Sequence, residues 1–180
     1  VVKADAYGIG ASRIVPRMVE QNLDMLAVYS LSEAAELAPF SGRLPILVLM
    51  GVRQLDRSAS IRSLVAHNRL ELVVHDLGQL SALEREAATF GSVLRLHVEL
   101  DSGMGRGGCD VEEAGEMLDR IAANPRLELH GIMTHLPDPM GDVDGARRQR
   151  EQLERFVRFK RDVIPAEARL HAAATMALGD

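Results

Sequence analysis

Short runs of Val, Ile and Leu recur along the chain, separated by longer stretches in which apolar residues return every three or four positions. Runs beginning at Val1, Met25, Ile46, Glu71, Val93, Glu128 and Arg169 predict seven strands, with helices of about ten to fifteen residues between them. The clearest helix covers 111–123, where Ala114, Met117, Leu118, Ile121 and Ala122 form one apolar stripe and Asn124-Pro125 supplies the stop. A second, over 145–163, sets Leu153, Phe156 and Val157 against a dense Arg, Glu and Gln face that reads as solvated. Repeated βα units without hairpin signals require a parallel sheet, either doubly wound or a (β/α)8 barrel. Seven units in a row favour the barrel. In the fifth predicted strand Arg95, His97, Glu99 and Asp101 share one face and Leu94, Leu96, Val98 and Leu100 the other. A barrel interior gives that polar face a place, opening to a site at the carboxyl ends of the strands. Arg95 and His97 are read as ion-pair partners filling the interior. The strand at Arg169 repeats the pattern weakly through Arg169, His171 and Thr175.

Composition narrows the function classes. The 180 residues, 47% hydrophobic and 26% charged, suit one domain or part of one, and no linker divides them. A net charge of −5 offers no footprint for nucleic acid, and no apolar stretch approaches the roughly 18 residues of a membrane helix. A soluble chain with small-molecule partners is expected. The single cysteine, Cys109, precludes an internal disulfide and fits a reducing, cytoplasmic setting. The chain opens on Val1 within a strand-like run, so its natural start is expected to lie upstream.

Candidate chemistry is concentrated in a few segments. Val1-Val2-Lys3-Ala4-Asp5-Ala6-Tyr7-Gly8-Ile9-Gly10 sets a lysine in an apolar run and follows it with a phenol and a glycine turn. Desolvation disfavours an ammonium and leaves the amine that condenses with an aldehyde, and a hydroxyl beside close backbone amides suits a phosphate. Taken alone, a single lysine at a strand end more often snorkels to solvent.

In its wider context this segment resembles the cofactor-lysine motif of the alanine racemases, V-V-K-A-[ND]-A-Y-G-x-G. Further matches follow in order. Leu100-Asp101-Ser102-Gly103-Met104-Gly105-Arg106 resembles D-[ST]-G-M-G-R, and Gly131-Ile132-Met133-Thr134-His135 resembles G-x-x-T-H. Gln152 to Phe156 is similar to a Q-x-x-R/F helix motif, and His171-Ala172-Ala173-Ala174-Thr175 stands in the place of H-x-A-N-S. The resemblance implies a partial (β/α)8 TIM-type barrel domain over 1–180, binding pyridoxal 5′-phosphate (PLP), with the eighth strand and a carboxyl-terminal β domain outside it. It implies an isomerase that interconverts L- and D-alanine for peptidoglycan. Lys3 would carry PLP through a Schiff base and act as one of two bases. Tyr7 and Thr175 would hold the cofactor phosphate, Arg106 would orient the phenolic oxygen, and His135 would lie against the ring. The opposing base, a tyrosine from the partner subunit of a homodimer, and the arginine that meets the pyridine nitrogen would lie outside this chain. The 180 residues alone are therefore expected to be inactive and prone to aggregate. No metal site is expected.

Departures from the family pattern touch substrate more than cofactor. Glu99 stands where many members have a carbamylated lysine or an asparagine, and a direct pair with Arg106 is expected. Ala174 replaces the usual asparagine, and 136–141 is unusually rich in proline. A racemase of broader range, for serine or basic amino acids, and a non-catalytic PLP-binding protein are the alternative readings.

Overall fold

The structure, a computed structural model, describes residues 1–135 and 168–172 together with residues 144, 147, 151 and 154. Six parallel strands lie in sequence order: β1 (Leu26–Val28), β2 (Ile46–Val48), β3 (Leu70–Val74), β4 (Leu94–Leu100), β5 (Leu127–Thr134) and β6 (Arg169–Ala172). Each is paired only in parallel, with registers such as Val28↔Val48, Val74↔Val98 and Met133↔His171. Sequential order sends every right-handed crossover the same way, so the helices gather on one side and the sheet curls into a half-barrel.

The helices start where short polar side chains can take up free amides. Ser30 opens α3 (Leu31–Leu37) in a capping box with Glu33, and Ser58 opens α4 (Ala59–Ala66). Asp76 and Asp110 open α5 (Leu77–Phe90) and α6 (Val111–Ala123) in the same way. Four of the five positions foreseen for the stripe on α6, Ala114, Met117, Leu118 and Ile121, are buried in one core with Leu94, Leu96, Val98 and Leu100 of β4, while Ala122 at the margin of the stripe is exposed. The opposite face of the sheet carries Leu47, Glu71, Val73, His97 and Glu99, all buried yet outside that core. This inner face is the polar interior that the alternation in β4 predicts.

Two expectations are corrected. There are six strands among the described residues, not seven. The amide of Val2 does bond the Ala27 carbonyl, at 2.8 Å, as a strand would. The chain then turns into α1 (Lys3–Tyr7), with φ of 51°, 53°, 54° and 58° at Ala4, Asp5, Ala6 and Tyr7. This is a left-handed turn built without glycine, which costs about 1–2 kcal/mol per residue. Side-chain acceptors hold it: the Ala4 amide donates to Glu33 Oε1 at 2.8 Å and the Ala11 amide, opening α2 (Ala11–Val19), to Asp5 Oδ1 at 2.7 Å. The helix predicted over 145–163 falls outside the described residues except at 147, 151 and 154, where Arg147 pairs with Asp144 and Glu151.

Candidate active site

A cleft of about 740 Å³ opens at the carboxyl ends of the strands. Lys3, Tyr7, Arg106 and His135 all line it, together with His75, Glu99 and His171. Thr175, Ala174, the 136–141 segment and the Gln152 to Phe156 motif lie outside the described residues. Lys3 is half-buried at the start of α1, at the end of the left-handed turn opposite Tyr7, whose ring is exposed. The apolar run Val1-Val2-Lys3 predicts a strand for this lysine. The structure instead hangs it from the turn tied down by Glu33, which also accepts the amides of Tyr29 and Ser30 at 2.6 and 3.2 Å.

Arg106 rides on the loop between β4 and α6. Asp101 folds that loop by accepting the amides of Gly103 and Gly105 at 2.8 and 3.1 Å. Gly108 closes it with φ +94°, and a Cβ there would lie 2.7 Å from the Asp101 nitrogen and 2.9 Å from the Glu99 oxygen. That backbone has no room to yield, which explains the glycine. Across the cleft, buried Thr134 donates its hydroxyl to the Leu100 carbonyl at 2.7 Å and meets the Ser102 hydroxyl at 2.7 Å. These bonds lock the end of β5 to the end of β4 and so place His135. Burial lowers the His135 pKa below the ordinary imidazole value; the Arg106 charge adds to this, Glu99 opposes it and Lys3 reinforces it.

Glu99 does not take the expected partner. Its Oε2 lies 3.0 Å from Nδ1 of His75, a residue the sequence reading passed over, and Nε2 of the same ring donates to the Leu49 carbonyl at 3.1 Å. Burial presses His75 downward, but the hydrogen bond and charge of Glu99 outweigh it and the pKa ends above the usual range. When the ring is protonated, Nδ1–H serves Glu99. When it is neutral, Nδ1 can accept the Gly108 amide, 3.1 Å away. The neutral ring fastens the Arg106 loop, and the protonated ring holds Glu99 at the end of β4 instead. The signal was present in the sequence as His75-Asp76 directly after the apolar run of β3, at the strand end where barrel sites form.

Below the cleft, ion pairs fill the interior. His97 Nε2 lies 2.6 Å from Glu71 Oε2, both side chains being buried, and His130 Nδ1 lies 3.3 Å from Glu71 Oε1. Arg95 pairs with Glu128 at 3.4 Å. The interior role expected for Arg95 and His97 is observed for His97, whereas Arg95 is only partly buried and its partner Glu128 is exposed. Burial raises the Glu71 carboxyl, but the hydrogen bond from His97 and the positive charge around it, Arg169 included, prevail and hold it below the usual carboxylate range.

Curled parallel sheet and polar strand-end cleft together define a (β/α) barrel domain with its site in the usual place for that architecture. The family model described as alanine racemase, N-terminal domain, matches residues 1–179, and the chain belongs to that family. The alanine racemase of Cutibacterium acnes is 36% identical over 159 residues, covering 87% of this chain and 40% of that protein. That of Treponema pallidum is 31% identical over 184 residues, covering 98% of this chain and 48% of its own. The chain thus spans less than half the length of these relatives. Among solved structures, the Clostridium difficile alanine racemase in complex with cycloserine superimposes with a TM-score of 0.82 at 23% identity, over 99% of this chain and 48% of that one. The alanine racemase from E.faecalis gives 0.74 at 25% identity, over 95% of this chain and 45% of that one.

Proposed function

We propose that the chain is the cofactor-binding part of a PLP-dependent amino-acid racemase acting on alanine. The observation that carries this reading is the convergence of Lys3, Tyr7, Arg106 and His135, drawn from three separate segments, on one cleft. The donor set fits PLP: a primary amine for its aldehyde, a phenol for its phosphate, a permanent cation and an imidazole around its ring. Bound PLP supplies an electron sink that makes the substrate α-proton removable.

The chain's own residues do the rest. Lys3, held by the α1 turn, anchors the cofactor and moves a proton at Nζ on one face of the substrate. Arg106, on its Asp101-folded loop, orients the bound ring. His135, kept neutral by burial and by neighbouring cations, gives that ring a flank without added charge. Thr175 would add a second hydroxyl at the phosphate. A base on the opposite face comes from a partner subunit in a homodimer, the D-alanine formed serves peptidoglycan, and the buried, unpaired thiol of Cys109 suits a cytoplasmic protein. Among the described residues no helix is long and apolar enough to cross a membrane.

The structure titled histidine racemase from Leuconostoc mesenteroides shares the fold, with a TM-score of 0.76 at 22% identity, so substrate choice is a matter for assay. Borohydride reduction of the intact protein with PLP, followed by peptide mapping, is expected to label Lys3. An unlabelled Lys3 overturns the reading. Chiral chromatography with alanine, serine, lysine and histidine then fixes the substrate. Labelling without turnover of any of them would favour a PLP carrier.

A further inference from the structure

The interior ion pairs reach the cleft through one contact. His97, whose Nε2 meets Glu71 at 2.6 Å, places Nδ1 2.8 Å from Nε2 of His171, and the two rings cross at 80° with centroids 5.0 Å apart. His171 lines the cleft. Space for this chain of bonds is made at Gly131, where any Cβ would stand 2.3 Å from His97 Nδ1. The register between β4 and β5 slips beside it, from Leu96↔Leu129 to His97↔Gly131. The extra residue, His130, turns to Glu71 while Gly131 faces His97.

A nitrogen–nitrogen hydrogen bond holds one proton, so the direction of the chain is fixed by its ends. An ionised Glu71 can only accept, and therefore His97 carries its proton on Nε2. Arg169, with Nη1 3.5 Å from the same Glu71 oxygen, already balances that carboxylate, so His97 needs no second proton; its lone pair is then on Nδ1, and the proton between the rings belongs to His171. We propose that the Glu71–His97 pair sets the tautomer of His171, giving it Nε2–H and leaving Nδ1 as an acceptor in a ring that lines the cleft. His97 and Glu71 are positioning residues for this purpose. At His171 the cleft then favours an N–H or O–H donor and disfavours a carboxylate or phosphate oxygen. Burial agrees, holding His171 down to about 4; Arg169 adds to this, and Glu71 and Glu99 oppose it.

This inference goes beyond the proposed reaction and stands whether or not the cleft takes PLP. The test is nitrogen-15 NMR of the intact protein with labelled histidine, with His171 assigned through His171→Gln. The expected spectrum places Nε2 at the protonated and Nδ1 at the unprotonated end of the imidazole range, with no titration between about pH 5 and 8. His97→Gln, whose amide can donate to Glu71 and accept from His171, should keep that pattern. His97→Leu should lose it, giving the other tautomer or a mixture. A wild-type His171 protonated on Nδ1 overturns the proposal, as does an unchanged tautomer in folded His97→Leu. The wild-type spectrum decides the direction even if the leucine variant does not fold. Lys3 labelling in the same samples reads out cofactor binding separately.

Discussion

Gly131→Ala is a small change with a large expected cost. In a strand interior, alanine normally outranks glycine, because glycine loses more freedom on folding and packs nothing. Here the added Cβ would stand 2.3 Å from Nδ1 and 2.7 Å from Cε1 of His97, and 2.9 Å from the Arg169 carbonyl oxygen, against 3.4–4 Å for ordinary contact. Relief needs roughly 1 Å of movement from a fully buried ring held by Glu71 on one side and His171 on the other. Overpacking of this kind costs about 1–3 kcal/mol. Breaking one of the ring's bonds strands a buried polar atom, adding about 1–3 kcal/mol. A loss of about 3 kcal/mol is therefore expected from urea denaturation of the intact protein. Gly91→Ala is the control, since nothing lies within 4 Å of its Cβ and only the +66° φ is unfavourable, for about 1–2 kcal/mol. In a His97→Ala background the Gly131→Ala penalty should shrink by at least about 1 kcal/mol. An undiminished penalty in that background, or wild-type stability of Gly131→Ala itself, would refute the steric account.

Further outcomes follow from other contacts. His75 has a folded-state pKa above its ordinary 6.5, so the stability its pair with Glu99 provides is complete below about that pH and fades as pH rises through the raised value; Glu99→Gln should flatten this part of the pH–stability curve and lower the His75 titration midpoint in NMR. Burial, with Glu113, Asp110 and Glu99 nearby, pushes the Cys109 thiol up to about 12, so iodoacetamide at pH 8 should label it only after unfolding, and rapid labelling of the native protein would contradict the burial. Glu33→Ala removes the acceptor for the amides of Ala4, Tyr29 and Ser30 and should cost about 1–2 kcal/mol in urea while slowing borohydride capture of PLP at Lys3.

Alternation and helical spacing were enough to read the barrel class, because β4 keeps strict period two across both of its faces and α6 keeps one apolar stripe. The strand that the pattern predicts at the start of the chain fails for a definite reason. Val1-Val2-Lys3 has strand composition, and nothing in Ala4-Asp5-Ala6-Tyr7 announces positive φ, which glycine normally signals. The slip between Leu96 and His97 likewise breaks the alternation of β5, so the inward turn of His130 could not be counted out from its neighbours. Lys3, Tyr7, Arg106 and His135 were found through local motifs. His75 was not, since its meaning depends on Glu99, a neighbour only across the sheet. The pair between Glu99 and Arg106 failed for the same reason: adjacency along the chain did not show that a histidine from β3 reaches the carboxylate first.

The backwards-wound turn at Lys3 ties the birth of the site to that of a helix some thirty residues on. Left alone, those four residues would unwind toward ordinary backbone geometry and carry the amine with them. Because the carboxylate that restrains them also starts α3, the place of the Lys3 amine and the first turn of that helix stand or fall together.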